Sequence, residues 1–282
     1  MKTNRNITLA FWINLLFACI ELIGAFFTNS LAIASDAIHD LGDSLALGLS
    51  WYLERYSNKG SDHKFSFGYR RFSLLSALIN CLVLIFGSLL VLRETLPRLF
   101  EPQEVHSTGM LYLALFGIFF NGYAALKLHH GHSHNERVLS LHFIEDVLGW
   151  VAVLIVAIAL QFGDYFFLDP LLSLMIAAFI LYNAGKRLKI TLKIFLQSIP
   201  DDLNLDKVNQ NIRSQEGVLD VHDTHVWSLD GRHHVLSTHI VTQVGVDPKV
   251  LKDKVKASLK LLGIAHVTLE LECHGDACEL CL

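Results

Sequence analysis

The chain has 282 residues, of which 52% are hydrophobic and only 18% are charged. Its mean hydropathy is positive, and the apolar residues come in runs long enough to cross a bilayer. The formal net charge of −4 gives no support for nucleic-acid binding. These values exclude an ordinary soluble protein and indicate a multi-pass membrane protein.

Six apolar stretches are predicted to form transmembrane helices, at residues 8–27, 32–53, 72–93, 108–128, 139–161 and 168–187. Prolines, which end or kink helices, fall between these stretches or at their ends. Lysine and arginine concentrate in the loops on one side of the six spans. By the positive-inside rule, we expect both termini to lie in the cytoplasm.

Two of the predicted spans carry the same unusual polar spacing, His-x-x-x-Asp. Span two contains His39 and Asp43, and span five contains His142 and Asp146. Residues four apart on a helix lie on one face, so each span presents an imidazole and a carboxylate to the same side. A charged Asp at the centre of a membrane helix costs roughly 2.5–3.5 kcal/mol and is rare unless it pairs or binds something. We therefore expect the four side chains to bind one tetrahedral divalent ion, with zinc the best candidate.

The loop after span four contains a short histidine-rich tract, made of His129, His130, His132 and His134. Such tracts bind divalent metal ions weakly. We interpret this tract as a cytosolic collector of metal ions beside the membrane spans. The alternative is a polar loop without a role in metal binding.

From residue 200 onward the composition changes to that of a small soluble domain. The pattern predicts two helices and three strands, at 205–215 (helix), 218–229 (strand), 233–244 (strand), 248–262 (helix) and 264–273 (strand). This order is that of a compact two-layer α+β domain with helices on one face of a sheet. We therefore divide the chain into a transmembrane domain at 1–199 and a cytoplasmic domain at 200–282.

The first two strands of this domain predict a second metal site. A two-residue hairpin loop at Asp230-Gly231 places His222 directly across from His239 on one face of the sheet. Two imidazoles at these positions can share a metal ion, whereas His225 is expected to point to the other face. Further candidate ligands are His266, Glu272, Cys278 and Cys281. The alternative is a solvated strand face followed by a tail that binds no metal.

Four stretches of sequence together form a family pattern. They are Ser-Asp-Ala-Ile-His-Asp-Leu-Gly-Asp (35–43), Phe-Gly-Tyr-Arg-Arg (67–71), Asp-Pro-Leu-Leu-Ser (169–173) and Val-His-Asp-Thr-His-Val-Trp (221–227). With these motifs the chain resembles the zinc-transporting branch of the cation diffusion facilitator family over nearly its whole length. Ser73 and Glu145 depart from the family pattern.

The resemblance implies a homodimeric exporter with six transmembrane helices per protomer, embedded in lipid, and a ferredoxin-like cytoplasmic domain. It also implies that His39, Asp43, His142 and Asp146 bind zinc from the cytoplasm and exchange it for protons. Zinc is then the transported substrate and, in the cytoplasmic domain, a candidate structural or regulatory ion.

Functions other than proton-coupled transport agree less well with the sequence. ATP hydrolysis is not expected to supply energy, because the sequence contains no P-loop. An intramembrane hydrolase is disfavoured, because His-Glu-x-x-His is absent and four protein ligands leave no position for water. A zinc-responsive membrane sensor does not need acids inside two spans, and a passive zinc channel would ignore a pH gradient. The ligand set alone does not separate zinc from cadmium, cobalt or nickel.

Overall fold

The computed structural model describes residues 2–57, 59–129 and 134–273. Within these ranges the chain forms eight helices and three strands. They divide into two compact units, the first from residues 1–53 and 76–188, the second from residues 54–75 and 189–282. Each unit has a hydrophobic core of its own.

The first unit is built from long helices. Six of them lie wholly or largely within it: α1 Lys2–Thr28, α2 Leu31–Ser57, α3 Phe72–Phe100, α4 Ser107–His129, α5 His134–Phe162 and α6 Leu168–Phe195. Each of the six predicted spans lies within one of these helices. Among the described residues, five helices, α1 and α3 to α6, are long and apolar enough to cross a membrane.

The helix α2 differs from the other five in composition. It has 27 residues, the same length as α1, but carries the acids Asp36, Asp40 and Asp43 within two turns. Acidic side chains are unfavourable in hydrocarbon and lower the apolar character of the helix. The residues that set α2 apart from the other helices thus include the predicted ligand Asp43 and its neighbours.

Aromatic side chains and glycine bring α4 and α5 close together. Trp150 of α5 is 1% exposed, and its indole ring occupies the space that a Cβ atom at Gly117 of α4 would need. Phe17 of α1 stacks on Phe120 of α4, with ring centroids 4.7 Å apart. Because Gly117 has no side chain, α5 packs closely on α4 at this level. This contact fixes α5 about one turn from Asp146.

The second unit contains a three-stranded sheet and two shorter helices. Its elements are α7 Leu205–Arg213, β1 Val218–Ser228, β2 His234–Thr242, α8 Pro248–Leu261 and β3 Ile264–Cys273. The strand order is β1-β2-β3, with β1 antiparallel and β3 parallel to β2. Residues of both helices form one core with one face of the sheet. The predicted α+β domain is therefore confirmed, with α8 as the crossover between the parallel strands.

The connection between β1 and β2 is longer than the two-residue loop that the sequence predicts. The last pair is Ser228 with His234, so residues 229–233 form the connection. The Asp230 carboxylate accepts hydrogen bonds from the backbone N–H groups of Arg232 and His233. Burial raises the pKa of Asp230, but these hydrogen bonds outweigh it and the pKa is lowered overall. An aspartate that binds its own backbone in this way stabilises the wider turn.

Candidate metal sites

The first candidate site, here called the helix site, consists of the predicted ligands His39 and Asp43 on α2 and His142 and Asp146 on α5. The α2 half has the expected geometry: His39 Nε2 lies 3.7 Å from Asp43 Oδ2, one helical turn further on. The two side chains are 29% and 16% exposed, so both are partly accessible. The spacing of four residues therefore places an imidazole and a carboxylate side by side, as helical periodicity predicts.

The α5 half of the helix site is described in part. Asp146 is 5% exposed, and its carboxylate interacts electrostatically with Asp36 and Asp43 of α2. The structure thus brings the acids of the two helices together. The side chain of His142 lies outside the described part of the chain, so its role stays a prediction from its position one turn before Asp146. The neighbouring Glu145 is exposed.

Additional acids lie beside the helix site. Glu21 of α1 and Asp40 of α2 are each 1% exposed, and Asp36 is 7% exposed. The charge of Glu21 interacts with those of Asp40, Asp36 and Asp146. Acids in an apolar membrane interior are rare unless they pair with one another or bind a cation. These residues are recognisable in the sequence as acids within apolar spans, but only the packing shows that they converge.

The second candidate site, here called the sheet cluster, consists of His222 on β1, His239 on β2 and Glu272 on β3. One ligand atom from each residue lies within 4.8 Å of the other two, and this is the one such group among the described residues. Glu272 Oε1 lies 2.6 Å from His239 Nδ1, and Glu272 Oε2 lies 3.3 Å from His222 Nε2. Two imidazoles and a carboxylate are a ligand set that zinc accepts.

A β-bulge in β1 decides which side chains lie on the face of the sheet cluster. His222 pairs with His239 as predicted, but His225 pairs with Ser237, so two residues of β1 oppose one of β2. The bulge contains Asp223, whose φ of 47° is in the left-handed region. Ser237 and His239 share a face of β2, and His225 therefore lies on the same face as His222. The prediction that His225 points to the other face is wrong, because it assumed regular alternation along β1.

Two acids that the sequence did not assign as ligands approach the sheet cluster. Asp223 Oδ2 lies 3.8 Å from His239 Nε2, and its Oδ1 lies 2.8 Å from His225 Nε2. Glu270 Oε2 lies 3.5 Å from His239 Nε2. The position of Glu270 two residues before Glu272 on a strand is a signal for the same face. Asp223 gave no comparable signal, because its position depends on the bulge.

Among the other predicted cytoplasmic ligands that the structure describes, His266 lies away from the sheet cluster. His266 pairs with Val235, four residues before Glu270 on β3, which is roughly 13 Å along a strand. Its ring instead contacts that of Phe67, with centroids 5.6 Å apart. The remaining predicted ligands lie outside the residues, or the side chains, that the structure describes: Cys278, Cys281, His129, His130, His132 and His134.

Comparison with known families covers both units. The model of the cation efflux transmembrane domain matches residues 7–196, which is more than half of the chain. The chain belongs to the cation efflux family. A second model, the cation efflux protein cytoplasmic domain, matches residues 200–273. The resemblance drawn from the sequence motifs is therefore confirmed: this cation efflux protein is a membrane transporter and not an enzyme.

Relatives match this cation efflux protein along most of their length. A cadmium, cobalt and zinc/H(+)-K(+) antiporter of Bacillus subtilis is 33% identical over 91% of this chain and 85% of its own. The metal cation efflux system protein CzcD of Cupriavidus metallidurans is 32% identical over 95% of this chain and 86% of its own. Zinc transporter ZitB of Yersinia pseudotuberculosis is 30% identical over 96% of this chain and 88% of its own. These similarities confirm the prediction of metal cation efflux.

Proposed function

We propose that this protein exports zinc from the cytoplasm in exchange for protons, with the helix site as the transport site. The observation that carries the proposal is the approach of α2 and α5. His39 and Asp43 are side by side on α2, and the buried Asp146 of α5 interacts with the charge of Asp43. His142 would complete a set of two nitrogens and two oxygens, which suits tetrahedral zinc. Other divalent transition-metal ions are secondary substrates.

The names of the relatives support this choice of metal. The relatives from Bacillus subtilis and Yersinia pseudotuberculosis are both named for zinc, and the first also for cadmium and cobalt. Affinity of a nitrogen and oxygen site follows a general order among such ions, so geometry and availability decide which one is carried. We therefore propose zinc as the main substrate of a site that also admits cadmium and cobalt.

Proton exchange follows from the chemistry of the ligands. Zinc binds neutral imidazole and ionised carboxylate, so protons and zinc compete for the same side chains. If the helix site opens alternately to each side of the membrane, zinc moves one way and protons the other. The Bacillus subtilis relative carries H(+)-K(+) antiporter in its name, which supports this coupling.

We also propose a regulatory zinc site, a homodimer and a topology with both termini in the cytoplasm. The geometry of the sheet cluster supports the regulatory site. The family model that matches residues 200–273 is named for dimerisation, and this name supports the homodimer. The family matches at 7–196 and 200–273 support a division near residue 200. The charge distribution of the loops supports the topology.

Zinc flux into proteoliposomes, with and without an imposed pH gradient, tests the transport function. We expect wild-type flux to increase with the gradient. The Asp43→Ala protein, checked by size-exclusion chromatography and circular dichroism, is expected to fold and to carry no zinc. Flux that ignores the gradient would favour a channel, and flux retained by Asp43→Ala would reject the helix site. Parallel assays with cadmium and cobalt measure the metal preference.

A further inference from the structure

The N-terminus of α2 is held by a carboxylate from another helix. Asp169, at the start of α6, is completely buried. Its Oδ2 accepts a hydrogen bond from the Leu31 N–H at 2.8 Å, and its Oδ1 accepts one from the Ala32 N–H at 3.3 Å and one from the Ser30 hydroxyl. The first N–H groups of a helix have no partner within it, and a negative charge is favourable there. Asp169 thus supplies both the acceptors and the charge that this helix end needs.

A chain of hydroxyl groups continues the contact one turn further along α2. Ser35 Oγ lies 2.8 Å from Ser173 Oγ of α6, which lies 3.0 Å from Thr95 Oγ1 of α3. These three residues are between 0% and 2% exposed. Ser35 lies one helical turn before His39. We call the contacts of Asp169 and Ser173 with α2 the α2–α6 clasp.

The two halves of the helix site are therefore supported by different neighbours. The α2 half is attached to α6 through the clasp, close to His39. The α5 half is attached to α4, where Trp150 packs against Gly117 about one turn from Asp146. Since each half has its own attachment, the separation of the ligands on α2 and α5 depends on both.

We propose that Asp169 is a positioning residue for transport: by holding the N-terminus of α2 against α6, it sets where His39 and Asp43 lie relative to α5. This role rests on the proposed function. In this role Asp169 does not bind the metal ion itself. Leu31 and His39 are eight positions apart, about 12 Å along a helix. A helix transmits a displacement over that distance as a rigid element. A shift of about 1 Å in a reacting group can change a rate on the order of 100-fold.

The variants Asp169→Ala and Asp169→Asn test this role, with Arg98→Ala as the matched control. Arg98 Nη1 donates hydrogen bonds to the carbonyl oxygen and to Oδ1 of Asn29, at 3.1 and 2.9 Å. The control therefore loosens the turn before α2 and removes a positive charge that interacts with Asp169, but it leaves the acceptors of the α2 N–H groups in place. Zinc and cadmium flux into proteoliposomes gives the KM and the maximal rate for each metal.

We expect Asp169→Ala to raise the KM for zinc about tenfold and to change the ratio of zinc to cadmium transport. Asp169→Asn keeps one acceptor oxygen and is expected to recover part of the loss. Arg98→Ala is expected to stay within about twofold of the wild type. If Asp169→Ala does not yield folded protein, the KM for zinc and the metal ratio of Asp169→Asn alone test the role.

Hydrogen exchange of the reconstituted protein gives a readout that does not depend on transport. The amides at the start of α2 are expected to exchange faster in Asp169→Ala, while those of α5 keep their rates. Wild-type zinc flux combined with an unchanged KM and metal ratio in both Asp169 variants would overturn the positioning role alone. A wild type that carries no zinc would reject the proposed function and this role with it.

Discussion

The helix site and the sheet cluster use the same chemical groups but assemble them differently. In the helix site, His39 and Asp43 come from one helix, and their spacing alone places them side by side. In the sheet cluster, each of the three candidate ligands comes from a different strand. Helical periodicity tolerates changes elsewhere in the chain, whereas a slip of one residue between strands moves a ligand to the other face. A motif is thus a stronger sign of a site on a helix than on a sheet.

The surroundings of the two sites differ as well. In the helix site, Asp146 is 5% exposed within a bundle of apolar helices. In the sheet cluster, the side chains of His222 and Glu272 are 31% and 13% exposed. Water can replace a lost ligand at the sheet surface, but the membrane interior offers little replacement. Changes to the helix site are therefore expected to have the larger effects.

The largest effect is expected from Asp146→Asn, because the amide lacks the charge of the buried carboxylate that is a proposed ligand of the helix site. Zinc flux in proteoliposomes should fall by more than the roughly 10–100-fold typical of changes next to metal ligands. The control is Glu145→Gln, which removes the same charge from the adjacent, exposed position and should leave the flux nearly unchanged. Equal losses in both variants would show that the net charge of α5, and not a ligand, is responsible.

A smaller effect on transport is expected from His239→Ala, which removes the central residue of the sheet cluster. Zinc titration of the full-length protein in an Asp43→Ala background should show binding to the sheet cluster weakened on the order of 100-fold. His239→Ala alone should reduce transport without abolishing it. The control is His266→Ala, on the same face but remote from the cluster, which should bind zinc like the parent. If His266→Ala weakened zinc binding equally, zinc would bind at a site that includes His266 and not at the sheet cluster as defined here.

The bulge that shapes the sheet cluster is tested by Asp223→Val and Asp223→Asn. Asn tolerates the left-handed conformation, whereas a β-branched residue does not. We expect Asp223→Val to lower the free energy of unfolding by about 1–2 kcal/mol more than Asp223→Asn. Hydrogen exchange of the β1 and β2 amides of the full-length protein, measured at increasing urea concentrations, gives the difference. Equal stabilities would mean that the bulge is not retained in the Val variant.

The smallest effect is expected in the loop between α2 and α3, which contacts the face of the sheet cluster through Phe67. Asp62 accepts hydrogen bonds from the Tyr69 hydroxyl at 2.7 Å and from the N–H groups of Phe65 and Lys64, each at 2.9 Å. These bonds, that of Tyr69 most, hold the pKa of Asp62 well below its ordinary range. The folded-state pKa is therefore lower than the unfolded value of about 3.9.

Asp62 consequently stabilises this loop above the unfolded pKa, and the stabilisation is lost as the pH falls from there toward the folded pKa. Asp62→Asn should speed up proteolytic cleavage of the loop near neutral pH. The difference from the wild type should shrink in acid, measured with an acid-stable protease. A difference that did not depend on pH would show that the charge of Asp62 is not what holds the loop.

Prediction from sequence succeeded where a pattern was local. The apolar runs predicted the long helices, and alternation with turn signals predicted the order of elements in the second unit. The predicted pairing of His222 with His239 is also confirmed, although the two-residue loop from which it was predicted is not present. The real loop is longer, and the bulge at Asp223 restores the register that the short loop implied. The same bulge made the prediction for His225 wrong.

The sequence by itself determined which segments are apolar enough for a membrane, the pairing of an imidazole with a carboxylate on α2, and the α-β-β-α-β order. These features depend on residues within a few turns or a few strand positions. Only the tertiary structure decided that Glu272 and not His266 joins the two histidines, that Asp223 approaches them, and that Asp169 holds α2. Those contacts join residues up to 139 positions apart, between Ser30 and Asp169. Their geometry depends on packing and register that no short stretch of sequence encodes.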